Sequence, residues 1–217
     1  MSDSKKDDKS VYNRITQDHI DALQEIGNIG SGHAANALSE LLNRRIDMSL
    51  PRFKLLTTTD LSQVKWRDQA SGNALAVAAL EIKGDMVLNI LVIFDETTLW
   101  SLIRLIRSDT KAVSVDKLTS LDQSILQEVG NILALHYLTA INNFLHKKAI
   151  PAEPTSLKIE ASEAILVNIV TRFASDCSHV ITVECDIFTS DMKLSPLVVL
   201  IPEEKTLEKL LHQLFGE

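Results

Sequence analysis

The residues of this chain whose types and spacing could do chemistry come in two sets of three. Asp21, Glu25 and Asn28 form the first, and Ser124, Glu128 and Asn131 repeat the order and the intervals. An asparagine carboxamide both donates and accepts hydrogen bonds, so it can hold a water molecule in one orientation. It cannot serve as a general base at neutral pH. A glutamate one helical turn away adds a charge that can anchor a partner. At 100° per residue, Asp21, Glu25 and Asn28 fall within about 60° of one another on a helix. A solvated helix face accounts for one such Glu-x-x-Asn. It does not account for two that agree while their surroundings drift.

The elements that must carry these residues repeat with them. Leu23-Gln24-Glu25-Ile26-Gly27-Asn28-Ile29 returns as Leu126-Gln127-Glu128-Val129-Gly130-Asn131-Ile132, 103 residues later (25 and 128). Each copy sits early in a helical pattern, roughly Asp18 to Asn43 and Ser120 to Lys147. In the first, Ile20, Leu23, Gly27, Gly30, Ala34, Leu38 and Leu41 recur at the spacing of a buried stripe. Gly27, Gly30, Gly32 and Gly130 each cost a helix about 1 kcal/mol relative to alanine. Such residues are kept where another backbone comes close, inside the fold or from a partner. Ile26, Ile29, Val129 and Ile132 point off the stripe. They suit either a docking surface or cover by neighbouring elements.

After the first long helix come Ala74 to Ile82 and Met86 to Phe94, β-rich runs split by the turn signal Lys83-Gly84-Asp85. Asp95 to Thr98 then opens a short helix through Ile106, with acidic residues at its positive end. After the second come Ala164 to Arg172, Val180 to Thr189 and Leu194 to Ile201. Pro202-Glu203-Glu204 starts a closing helix through Leu214, with the proline in its first turn. One half alone would leave a bare sheet edge. The two together predict an α+β fold, internally duplicated, with a pseudo-two-fold antiparallel-rich sheet and two long helices on one face. The expected organisation is a flexible polar tail over 1–12 and one domain over 13–217. That domain consists of two repeats of about 13–110 and 111–217, joined through Lys111 to Leu118.

Composition narrows the function classes. A net charge of −7 and a pI near 5.4 argue against nucleic acid, whose phosphates reward a concentrated basic surface. No stretch approaches the ~20 apolar residues needed to cross a bilayer, and Met1 to Ser10 lacks the apolar centre of a signal peptide. The expectation is a cytoplasmic protein with no membrane insertion, whose Cys177 and Cys185 are reduced. Gly27-Asn28-Ile29-Gly30-Ser31-Gly32 lacks the preceding strand and the Gly-Lys-Ser/Thr ending of a phosphate loop. The histidines, including His33, His136 and His146, show no metal-ligand spacing. No nucleophile elbow or placed cysteine is present, so neither a metal nor a cofactor of its own is expected.

A longer pattern gives the chain a family resemblance. It carries Asp/Ser-x3-Glu-x2-Asn-x22-Pro twice, as Asp21, Glu25, Asn28, Pro51 and as Ser124, Glu128, Asn131, Pro154. Both asparagine-to-proline intervals are 23 residues. This resembles the CheC/CheX/FliY phosphatases of chemotaxis and two-component signalling, over essentially the whole chain after the tail. Two complete sites in this length are most similar to the CheC branch, because CheX has one site and dimerises and FliY adds a flagellar-switch domain. The resemblance implies hydrolysis of the aspartyl-phosphate of a CheY-like response regulator, whose own Mg²⁺ stays on the partner. It implies catalytic roles for Glu25, Asn28, Glu128 and Asn131. The asparagines would position the attacking water, and the glutamates would pair with the regulator's active-site lysine. Asp21 and Ser124 would bind the partner or cap local hydrogen bonds, while Pro51 and Pro154 would start the strands that follow. A complex with the deamidase CheD is common in the family, and a monomer fits because duplication already supplies the symmetry. A non-catalytic adaptor for CheY-like or CheD-like partners is the alternative.

Overall fold

In the computed structural model of the chain, residues 17–58, 60, 74–107, 118–161 and 179–215 are described. The expected tail, most of the connector, the run 164–172 and Cys177 lie outside the described residues. The two long helices are α1 (Gln17–Leu42) and α3 (Ser120–Leu145), each of 26 residues and starting 103 residues apart. Both end on a left-handed residue other than glycine, Asn43 at φ 47° and His146 at φ 50°. The short helices α2 (Glu96–Arg107) and α4 (Glu204–Phe215) have 12 residues each.

The strands are β1 (Asp47–Met48), β2 (Arg52–Thr57), β3 (Ala74–Gly84), β4 (Leu88–Asp95), β5 (Ala149–Pro151), β6 (Ser156–Ala161), β7 (His179–Glu184), β8 (Ile187–Phe188), β9 (Lys193–Leu194) and β10 (Leu197–Pro202). The main sheet runs β2-β7-β10-β4-β3, with β6 and β5 following one another along the far edge of β3. Every pairing is antiparallel. The halves are interleaved. β2 of the first half pairs with β7 of the second, and β6 of the second pairs with β3 of the first. The order reads the same from either edge once the halves are exchanged. β4 and β10 meet at the centre, with Ile90 opposite Leu200 and Val92 opposite Val198. Each half thus shields an edge that the other would expose.

The long helices cover one face. Ala78, Leu80, Ile90, Val92, Val198 and Leu200 share a buried cluster with Ala34, Leu38, Leu126, Leu133 and Tyr137. Their alternating neighbours Val77, Leu91, Ile93 and Val199 are buried too, so the central strands are covered on both faces. The helices run antiparallel to each other. A methyl group on Gly30 would lie 3.5 Å from Ala140 Cβ, Ser31 bonds Tyr137, and the His33 and His136 rings stack with centroids 6.1 Å apart.

Two expectations need correction. Pro202 is not in the first turn of α4. It ends β10, opposite Leu88, and the helix is opened instead by the Glu203 carbonyl, which accepts from Thr206 and Leu207 N–H. The run Val180 to Thr189 breaks at Cys185-Asp186, and Leu194 to Ile201 breaks at Ser195-Pro196. At the break the buried Asp186 carboxylate accepts from Ser195 at 2.7 Å and pairs with Lys193 at 2.9 Å, and Pro196 has no N–H to give a ladder. For Ile26 and Val129 the open alternatives close on cover by neighbouring elements. Each is 2% exposed, because the helices pack on the sheet and on each other and so bury more than a single stripe.

The glycine alternatives resolve inward for three of the four. A Cβ on Gly27 would sit 2.3 Å from the Phe53 ring and 2.7 Å from Pro51. One on Gly130 would sit 2.3 Å from Ala78 Cβ. Gly30 meets the second helix, whereas Gly32 is exposed with open space around it.

Candidate functional site

The two sets of three residues lie on the early turns of α1 and α3, where the sequence pattern puts them. Asn28 is about 200° around α1 from Gly30, which faces the second helix. The Glu–Asn pairs therefore sit on the outer flanks of the helix pair, away from the seam. Glu25 and Glu128 are exposed, Asp21 and Ser124 likewise, and Asn28 and Asn131 are half-buried.

Ser124 donates to the Ser120 carbonyl at 2.9 Å, a local bond along its own helix. Pro51 is buried beneath Gly27 and directly precedes β2, whereas Pro154 is exposed and stands two residues before β6. Ile29, at 49% exposure, is the apolar residue that remains outward beside the first pair.

The amides differ in their support. Asn131 Oδ1 accepts a hydrogen bond from the Thr155 hydroxyl at 2.8 Å. Thr155 is itself 7% exposed, and its carbonyl accepts from Gln127 Nε2, one turn before Asn131 on α3. Asn28 Oδ1 is buried and has no protein donor among the described residues. Phe53 and Pro51 lie beneath the neighbouring Gly27. Thr155 is a residue that sequence reasoning missed. The available signal was its place immediately after the second proline, where the first half has Arg52.

The start of the second helix is anchored by side chains. Thr119 caps α3 in a capping box with Asp122, whose buried carboxylate pairs with Arg107 at the end of α2. The position of Asp122 in the first repeat is held by His19.

Between the two pairs, under the seam, Ser31 bonds Tyr137 at 3.0 Å and lies 3.8 Å from the Cys185 thiol. Burial pushes both the Tyr137 hydroxyl and the Cys185 thiol upward, so both stay protonated and structural. Burial and the neighbouring His33 together lower His136. Among the described residues no three His, Cys, Asp or Glu side chains gather as metal ligands, and no helix is long and apolar enough to cross a membrane.

Residues 19–55, which contain the first Glu–Asn pair and Pro51, match the model of the CheC-like family. A curated relative, the CheY-P phosphatase CheC of Bacillus subtilis (strain 168), is 31% identical over 209 residues, covering 93% of this chain and 96% of the relative. The crystal structure of Thermotoga maritima FliY superposes with a TM-score of 0.69 at 18% identity, covering 93% of this chain and 98% of that one. The FliM middle domain from H. pylori superposes at 0.63 with 10% identity, covering 92% and 99%. The last two show a shared fold. The chain belongs to the CheC-like family.

Proposed function

We propose that this protein hydrolyses the aspartyl-phosphate of a CheY-like response regulator, through one site on each long helix. The carrying observation is the Glu–Asn pair held twice on the outer flanks of two matched helices, with the glutamate exposed and the amide half-buried. The 31% identity to a CheY-P phosphatase over nearly the whole chain supports the same reading.

The chemistry asks little of the protein beyond placement. The acyl phosphate is already activated, and the regulator's Mg²⁺ neutralises its oxygens. A water oxygen forms the new bond to phosphorus while the bond to the aspartyl oxygen breaks. The aspartate leaves as a carboxylate, and the water's protons end on phosphate or in solvent. Loose phosphoryl transfer is governed by positioning and charge stabilisation. Asn28 and Asn131 would hold the water in line. Glu25 and Glu128, one turn along, would pair with a cationic group of the regulator and set the register of the inserted helix face.

The test is the decay of Mg²⁺-bound phospho-regulator with the parent, Asn28→Ala, Asn131→Ala and the double variant. Acceleration that vanishes in the double variant supports hydrolysis at these sites. A parent that binds the phospho-regulator without shortening its lifetime replaces this reading with the adaptor.

A further inference from the structure

The two Glu–Asn pairs match in sequence, but among the described residues only the second has a donor to its amide oxygen. An asparagine side chain turns easily about its last bond, and its oxygen and nitrogen can exchange places with little steric penalty. A group meant to hold water in one orientation loses effect if it swings. In the second site the Thr155 hydroxyl donates to Asn131 Oδ1 at 2.8 Å, so the oxygen is held inward and the NH₂ is turned to the open flank. Thr155 is β-branched and buried, so its own rotamer is stiff. Gln127 holds the same residue by its carbonyl. Gln127 and Asn131 are four residues apart on one helix face, and together they clamp Thr155 from both its polar ends.

The first site has the helical half of this arrangement, Gln24 and Asn28, without its counterpart. Arg52, the residue 103 positions before Thr155, is exposed and reaches Glu184 at 3.3 Å. The inward place goes to Phe53, whose ring packs under Gly27 and has no donor to offer.

We propose that Thr155 is a positioning residue of the second site, fixing the Asn131 carboxamide with its NH₂ toward the attacking water. It acts through Asn131 and does not touch the reacting atoms. The inference rests on the phosphatase reading for its catalytic consequence, while the clamp itself is a property of the free protein. The fixed NH₂ donates to the water oxygen and leaves another lone pair for attack in line. Pre-organising that donor lowers the barrier without changing how the regulator docks.

The test uses full-length protein carrying Asn28→Ala, so that only the second site acts, with Thr155→Val or Thr155→Ser added. Valine keeps the shape and removes the hydroxyl. Turnover at saturating phospho-regulator should fall about tenfold with valine, the worth of one hydrogen bond, while the half-saturating concentration stays unchanged. Serine should restore turnover to within about twofold. In amide spectra of the same proteins without regulator, the Asn131 side-chain NH₂ should lose its order and shift with valine and keep both with serine. Unchanged turnover with valine, an equal loss with serine, or a change confined to half-saturation would overturn the proposal. If Asn28→Ala and the parent both lack turnover, the phosphatase reading fails on its own. The spectra still decide the clamp then, and an Asn131 side chain as ordered with valine as with threonine would refute it.

Discussion

Asn28 and Asn131 occupy the same turn of matched helices, yet the segments that pass beneath them differ in kind. In the first half the chain puts Pro51 and the Phe53 ring under the neighbouring Gly27, and Asn28 Oδ1 has no protein donor among the described residues. Under Asn131 lies a threonine that donates to it. The sequences at the helix starts differ as well. Asp122 joins the cap of α3 to Arg107 of α2, whereas His19 stands at that position of the first repeat. Duplication has kept the outward residues alike and let the supporting contacts diverge. Two sites with one sequence pattern can therefore differ in rigidity, because rigidity comes from what lies below the pattern.

The comparison can be broken most directly at the asparagines. Loss of a positioned amide of this kind costs about 10²-fold in turnover. Asn131→Ala should therefore remove the larger share of phospho-regulator hydrolysis and Asn28→Ala the smaller, with the double variant returning to the regulator's own decay. Equal shares from the two single variants would show that the extra support of the second site has no catalytic consequence.

The anchoring of the helices can be tested by stability. Arg107→Ala leaves the Asp122 carboxylate buried at 1% side-chain exposure without its cation. Since Arg107 is itself 24% exposed, the expected loss is about 2 kcal/mol, below the usual value for a fully buried pair. Urea unfolding reads it directly. A change within about 0.5 kcal/mol, the range of ordinary surface substitutions, would mean that the capping box alone holds the α3 start.

The two packing glycines sharpen the same contrast. A methyl group on Gly130 meets the Cβ of Ala78, which is fixed to an inner strand, while one on Gly27 meets the rings of Phe53 and Pro51, carried on and just before β2, an outermost strand among the described residues. Gly130→Ala should cost about 2 kcal/mol and Gly27→Ala about 1 kcal/mol, net of the helix propensity gained. The reverse order in thermal unfolding would show that Phe53 is the more rigid neighbour.

The smallest effect lies at the seam, where His33 is exposed and His136 half-buried. Burial and His33 lower His136 below the usual 6.5. The unfolded chain then takes up the proton first, so stability is full above about pH 6.5 and falls as pH drops through that value. His136→Gln should flatten this slope in unfolding curves at pH 5 to 7. An unchanged slope would place the titrating group elsewhere.

Much of this molecule was legible in its sequence because much of it is local. The 26-residue helices, the hairpin at Gly84 with its φ of 120° and the short helix capped by Asp95 follow from periodicity and from turn and cap chemistry. So does the repetition of Glu25–Asn28 as Glu128–Asn131, since spacing along a helix fixes which residues share a face. What the sequence could not determine depends on partners far along the chain. The crossing of β2 onto β7 and of β6 onto β3 is one such case. The burial of Ile26 and Val129, which periodicity alone left ambiguous, is another. The placing of Thr155 under Asn131 and of Phe53 under Gly27 is the third, and it is the one that separates the two sites. Helical periodicity says which way a side chain leaves its own backbone. Only the tertiary structure decides what is waiting there, because that depends on how the interleaved halves bring distant segments together.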